Sequence, residues 1–200
     1  MPSELLATLG LTAGVATASG LRLYGTVAAL GVLHRMGALR LPGSLEALGE
    51  LPIIILAGLL YVVEFVADKI PAFDSVWDSV HTFIRVPAAA VLAFAAFGPV
   101  DEPWRIGAAL LCGTIALSSH AIKASSRLAI NASPEPLSNW AASFTEDALV
   151  VGLIWLAVSH PIAALVVALL TVLVAVLLAS WIIRMMRRVL TRRRGVAPIR

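Results

Sequence analysis

Charge is scarce in this chain. Of its 200 residues only 14% are Asp, Glu, Lys or Arg, while 60% are hydrophobic and the mean hydropathy is +0.93. A soluble domain carries about 25% charged and 45–50% apolar residues, so the composition describes an integral membrane protein. Cysteine is almost absent. Cys112 stands alone, which excludes an intrachain disulfide and a cysteine-based zinc site; its apolar setting reads as a small core hydrophobe. No Lys or Arg precedes Arg22. A positive n-region is therefore missing, and the first segment reads as mature protein rather than a secretory signal, although Ala16-Thr17-Ala18 imitates a cleavage site. Also missing are a phosphate-cradling glycine loop, His-Glu-x-x-His, Gly-x-Ser-x-Gly and a dinucleotide fingerprint. Soluble-type catalysis and a cofactor thus find no support, and no catalytic residue is assigned.

The net charge of +3 is unevenly spread. Arg184, Arg187, Arg188, Arg192, Arg193, Arg194 and Arg200 crowd the C-terminal end, leaving 8 basic against 12 acidic residues elsewhere. By the positive-inside rule this tail is a topology and lipid-surface signal that places the C-terminus in the cytoplasm. No basic-aromatic surface accompanies it, which argues against nucleic-acid binding.

Six long apolar stretches follow one another, at about 4–36, 51–67, 76–97, 104–130, 140–158 and 162–186. Each comes close to the roughly 20 residues needed to cross a hydrocarbon core. The breaks between them carry Leu41-Pro42-Gly43, Ile70-Pro71, Gly98-Pro99, Pro134-Glu135-Pro136 and His160-Pro161, which stop helices. The first stretch is too long for one perpendicular helix. It predicts either a single helix broken near Ser19-Gly20, giving six spans with both ends in the cytoplasm, or two spans, giving seven with the N-terminus outside. The first is preferred because of an internal echo. Gly14-Val-Ala-Thr-Ala-Ser19 returns as Gly113-Thr-Ile-Ala-Leu-Ser118, and Pro42, Ser44, Ala47, Gly58, Leu59 and Tyr61 return as Pro136, Ser138, Ala141, Gly152, Leu153 and Trp155. The expected architecture is an all-α bundle of six membrane helices built as two inverted three-helix repeats, 1–98 and 99–186, with a basic tail at 187–200. Such repeats are a recurrent transporter plan.

Ionisable residues inside the apolar stretches are costly and mark function or internal pairing. Asp74, Asp78, His81 and Arg85 fall within about 60° of one helix face. His120, Lys123 and Arg127 form a second row, flanked by serines. Glu64 with Asp68, and Glu146 with Asp147, add two acidic pairs. With Arg22, the set within the spans has one carboxylate more than it has cations. Near-balance predicts a mutual network; the spare carboxylate and a histidine are what a proton- or cation-coupled carrier uses. Arg85 and Lys123 are candidates to hold an anionic group. A metal is left open. In the polar segment 131–139, Ser138 or Asn139 is expected to cap the following helix. Asn131-Ala-Ser133 matches a glycosylation acceptor pattern but would face the cytoplasm.

The strings Ala18-Ser-Gly-Leu-Arg22-Leu-Tyr24, Glu64-Phe-Val-Ala-Asp68-Lys69-Ile-Pro71, Asp74-x-x-Trp77-Asp78-x-x-His81-Thr82-Phe83-Ile84-Arg85-x-Pro87 and Lys123-x-x-x-Arg127-x-x-x-Asn131-x-Ser133-Pro134-Glu135-Pro136 resemble a bacterial membrane-protein family, the domain of unknown function DUF4126. The resemblance spans about 11–158. It implies a small prokaryotic inner-membrane protein and no particular activity. The residues themselves support three readings: a small transporter or channel for an ion or solute; a flippase or intramembrane enzyme that grips a lipid phosphate through Arg85, Lys123 and Arg127; or an assembly protein whose charges lock its helices. The partners expected are the bilayer, a small ion, solute or lipid headgroup, and a second copy of the chain in a dimer.

Overall fold

The computed structural model describes residues 2–98, 100–132 and 136–194. Among them are seven α-helices and one 3-10 turn: α1 Pro2–Leu21, α2 Leu23–Arg35, the turn Gly43–Gly49, α3 Leu51–Ala67, α4 Pro71–Ala96, α5 Glu102–Asn131, α6 Pro136–Ser159 and α7 Pro161–Arg194. Proline sets most of the boundaries. Pro2, Pro52, Pro71, Pro103, Pro136 and Pro161 each occupy one of the first two positions of a helix, where the missing N–H would have had no intrahelical partner anyway. Only α2 starts without one. It begins after Arg22, whose backbone (φ −142°, ψ 88°) leaves the helical region.

The expectation of a single first helix is corrected here, because the chain folds back at Arg22. Leu39 and Arg40, just beyond α2, line a crevice together with Ala7, Thr8 and Pro161. A straight continuation of α1 would carry residue 39 about 46 Å from residue 8. α2 then runs antiparallel to α3, with Gly25 against Tyr61 and Gly31 against Ile54. α1 runs parallel to α7, with Gly10 facing Pro161 and Gly14 facing Ala164. It is also parallel to α5: Ser119 Oγ donates to Thr17 O at 2.8 Å and Lys123 Nζ to Leu21 O at 3.2 Å.

These directions bear on the expected inverted repeats. Inverted halves would set α1 antiparallel to α5, and the two are parallel. The reversal at Arg22 adds one pass to the first part of the chain, so the second part sets out in the same direction. The echoed segments 14–19 and 113–118 do lie side by side, on α1 and α5. For the same reason the start of α1 and the end of α7 lie at opposite ends of the bundle, not on one side.

Among the described residues, five stretches are long and apolar enough to cross a membrane: Ser3–Leu21, Phe73–Ala96, Glu102–Asn131, Leu137–Ser159 and Pro161–Arg188. The 3-10 turn and α3, bent by 72°, make a sixth if taken together. α2, with 13 residues, is about 20 Å long and falls short of the roughly 30 Å core. α1 is the central helix and packs on α4, α5, α6 and α7. It can do so because its contact positions are small. At Gly20 a side chain would collide with Ser119 Oγ and the Ala116 carbonyl, the close approach that small residues permit between membrane helices. Outside, Leu59, Val91, Leu110, Val151 and Leu170 are exposed; inside, Arg22, Arg85, Lys123 and Arg127 are buried. That distribution suits an apolar solvent.

Two boundaries also differ from expectation. α4 starts at Pro71, so Asp74 lies in its first turn, where a helix N-terminus favours negative charge. α6 starts at Pro136, which puts Ser138 and Asn139 inside the helix rather than at its cap. Ser133, Pro134 and Glu135 of the polar loop, and most of the basic tail's side chains, lie outside the described residues.

Candidate functional site

Helix directions decide where the charges meet. α1, α3 and α5 end, and α4 and α6 begin, at the same end of the bundle. Polar residues in those terminal turns therefore converge. Spacings of three and four residues keep Asp74, Asp78, His81 and Arg85 on the inner face of α4, and His120, Lys123 and Arg127 on that of α5. All seven are buried.

Asp68 is the hub. Its Oδ2 pairs with Arg22 Nη1 and lies 3.3 Å from both Lys123 Nζ and Arg127 Nη2. Arg127 also grips Glu146 in a two-point fork, Nε to Oε1 at 2.7 Å and Nη2 to Oε2 at 2.9 Å, the geometry that makes arginine–carboxylate pairs strong. Arg22 reaches Asp147 Oδ1 through Nε at 2.9 Å and donates through Nη2 to Ser143 Oγ at 2.8 Å and Ser143 O at 3.1 Å. Lys123 Nζ stands among three carboxylates, with Asp68 at 3.3 Å, Glu146 at 3.4 Å and Asp78 at 3.5 Å. Through Asp78 the network continues to Arg85, whose Nη1 is 3.0 Å from Asp78 Oδ1 and whose Nη2 is 2.6 Å from Glu64 Oε1. All nine residues expected to balance one another, Arg22, Glu64, Asp68, Asp78, Arg85, Lys123, Arg127, Glu146 and Asp147, thus form one connected body.

The two histidines part company. His120 lies inside the network. Arg85 Nη1 donates to its Nδ1 at 2.6 Å, so Nε2 carries the ring proton and faces Thr82 Oγ1 at 2.8 Å and the Asp78 carbonyl at 3.1 Å. His81 is held by neutral partners instead. Its Nδ1 donates to Trp77 O at 2.8 Å, leaving Nε2 to accept from Tyr24 OH at 3.2 Å, and its ring stacks on Trp77 at 4.0 Å. Asp74 sits at the margin and accepts from Asn131 Nδ2 at 2.9 Å.

Burial makes this arrangement expensive to disturb, since removing one member of a buried ion pair costs about 3–5 kcal/mol. Outside the spanning segments, burial pushes the Asp68 carboxyl up, but Lys123, Arg22 and Arg127 outweigh it and hold the group below its usual range. Burial and the nearby Arg22 pull the Lys69 ammonium down. Lys69 Nζ caps this end, 2.9 Å from the Phe65 ring centre and 3.2 Å from Ser143 Oγ. Four carboxylate oxygens, Glu64 Oε2, Asp68 Oδ1, Asp74 Oδ1 and Asp78 Oδ2, are buried with no hydrogen-bond partner among the described residues. Among those residues no group of three or more His, Cys, Asp or Glu is arranged to hold a metal ion.

Ion-paired side chains of the network are 0–10% exposed, except that of Asp147 at 21%. Asp147 and Arg22 lie on a cavity of about 660 Å³ between α2 and α6, walled mostly by aliphatic side chains and Tyr61. Tyr24, Tyr61, Thr82 and Asn139 also belong to the site, beyond the residues expected from the sequence. Asn139 binds Arg127 Nη1 through its carbonyl and its Oδ1, both at 3.2 Å. The signal was present in the spacing Asn139, Ser143, Glu146 on one face of α6.

No curated protein and no solved structure matches this chain. A family model does, over residues 9–181, its description being domain of unknown function (DUF4126). With most of its length matched and its polar helix ends assembled as described, the chain belongs to the DUF4126 family.

Proposed function

We propose that this protein is a small membrane carrier or channel for an ion or solute. The observation that carries the reading is the buried network's one accessible acid: five carboxylates face four cations, and Asp147, the most exposed of them, opens onto the cavity between α2 and α6. A network with a carboxylate to spare can take up and release a proton or cation, which is how intramembrane acids serve in transporters. The unpartnered oxygens of Glu64, Asp68 and Asp78 would hold that proton, cation or a water, since buried acceptors seek partners. Ion pairs that join 1–98 to 99–186, such as Arg22–Asp147, Lys123–Asp78 and Arg127–Asp68, would be remade as the site changes its exposure. With α7 ending in the cytoplasm, as its arginines favour, the network lies toward that face.

The lipid-phosphate reading finds less support. Arg85, Lys123 and Arg127 are each at most 2% exposed and already paired with carboxylates, so a phosphate would have to displace an acid. The fold-locking reading draws on that same saturation. Proteoliposomes loaded with a pH-sensitive dye separate the two that remain. A carrier moves protons when one of a panel of cations, amines or neutral solutes is added outside, and Asp147→Asn abolishes the signal. If no solute moves and charge variants only lower thermal stability, the carrier reading falls.

A further inference from the structure

The cavity at Asp147 has a chemical character of its own. At about 660 Å³ it lies within the roughly 300–1,000 Å³ typical of small-molecule sites. Its long wall is aliphatic, with Val32 and Leu33 from α2 facing Val150 and Ile154 from α6. Val151 and Trp155, also on its lining, are 67% and 61% exposed in the middle and end of a spanning helix. The mouth therefore opens sideways toward lipid, where an apolar compound concentrates.

The polar end is asymmetric. Arg22 lines the cavity but is 0% exposed, its guanidinium held by Asp68, Asp147, Glu146 and Ser143. Asp147, though paired with Arg22 Nε at 2.9 Å, keeps 21% of its side chain exposed and is the charged group that a visitor meets. Tyr61 stands beside it, its hydroxyl hydrogen-bonded to Asp147 and its ring pressed on Gly25, where an added Cβ would come within 2.9 Å of the ring. A carboxylate next to an aromatic ring, at the end of an aliphatic slot, suits a cation. An anion would face Asp147 before it could reach Arg22.

We propose that this cavity binds a lipophilic cation, an apolar body bearing one amine, quaternary ammonium or phosphonium centre, with the charge at Asp147 and Tyr61 and the body along Val150 and Ile154. The assignment deepens the carrier reading by naming its substrate class, but binding and transport are measured apart. The probes are tetraphenylphosphonium and tetraphenylborate, which share a shape and differ in sign. Each is titrated by equilibrium dialysis onto the full chain in phosphatidylcholine nanodiscs, with protein-free nanodiscs subtracted. The phosphonium should bind saturably with one site per chain and the borate should not. Asp147→Asn should weaken the phosphonium at least tenfold. Val151→Trp, at a lipid-exposed position on the mouth, should do the same, and serves if the first variant does not fold. Saturable binding of both ions, of neither, or of the phosphonium with unchanged affinity in a folded variant overturns the assignment. Binding without any solute-driven proton movement would remove the carrier reading and leave this site standing. Transport of another solute without phosphonium binding would do the reverse.

Discussion

Glu64 is the member of the network with fewest alternatives, and Arg85→Gln isolates it. Arg85 has two acidic partners, but they do not depend on it equally. Asp78 keeps Lys123 at 3.5 Å, whereas Glu64 Oε1 loses its 2.6 Å bond and its Oε2 has no partner to begin with. At 0% exposure the orphaned carboxylate has no water to turn to. The loss should therefore sit in the full range for breaking a buried pair, about 3–5 kcal/mol. At about 2–4 °C per kcal/mol for a chain of this size, the thermal midpoint in detergent falls by about 6–20 °C. Glu64→Gln should cost less, because Arg85 retains Asp78 at 3.0 Å and His120 at 2.6 Å. In the double variant, two amides face each other and no buried carboxylate is left alone. The four proteins form a cycle whose coupling energy should reach the upper part of the 0.5–3 kcal/mol range seen for contacting residues. A double variant as unstable as the sum of the singles would refute the reasoning. So would an Arg85→Gln protein that melts within about 2 °C of the parent.

Other outcomes follow from particular contacts. Gly20→Ala should destabilise by about 1–3 kcal/mol, because its Cβ meets the Ala116 backbone and Ser119, whereas Gly58→Ala, with open space around it, should be neutral or mildly stabilising when both are compared by thermal unfolding. Cys112 is 0% exposed and should resist a maleimide in the native protein, reacting fully once it is unfolded; rapid native labelling would contradict the packing of α1 on α5. Asn139→Ala removes one acceptor of Arg127 Nη1 but not the Asp68 carbonyl at 3.2 Å, so the cost should be near that of a single charged hydrogen bond, about 1.5–3 kcal/mol.

Much of this molecule could be read from its residues in order. Composition placed it in a membrane, proline marked the breaks between helices, and the three- and four-residue spacing of Asp74, Asp78, His81 and Arg85, or of His120, Lys123 and Arg127, put each row on one face. Those are local properties, set by helical periodicity and by a backbone that must satisfy itself in lipid. Charge balance even foretold a single network. Direction was another matter. Whether the chain continues or reverses at Arg22 depends on what the side chain finds, and Arg22 finds Asp68 and Asp147 from segments distant in sequence. That one turn decides that α1 and α5 are parallel rather than inverted, and that Asp147 opens onto a cavity. No local pattern encodes such choices, because each is an energy of pairing between helices that meet only after the bundle has closed.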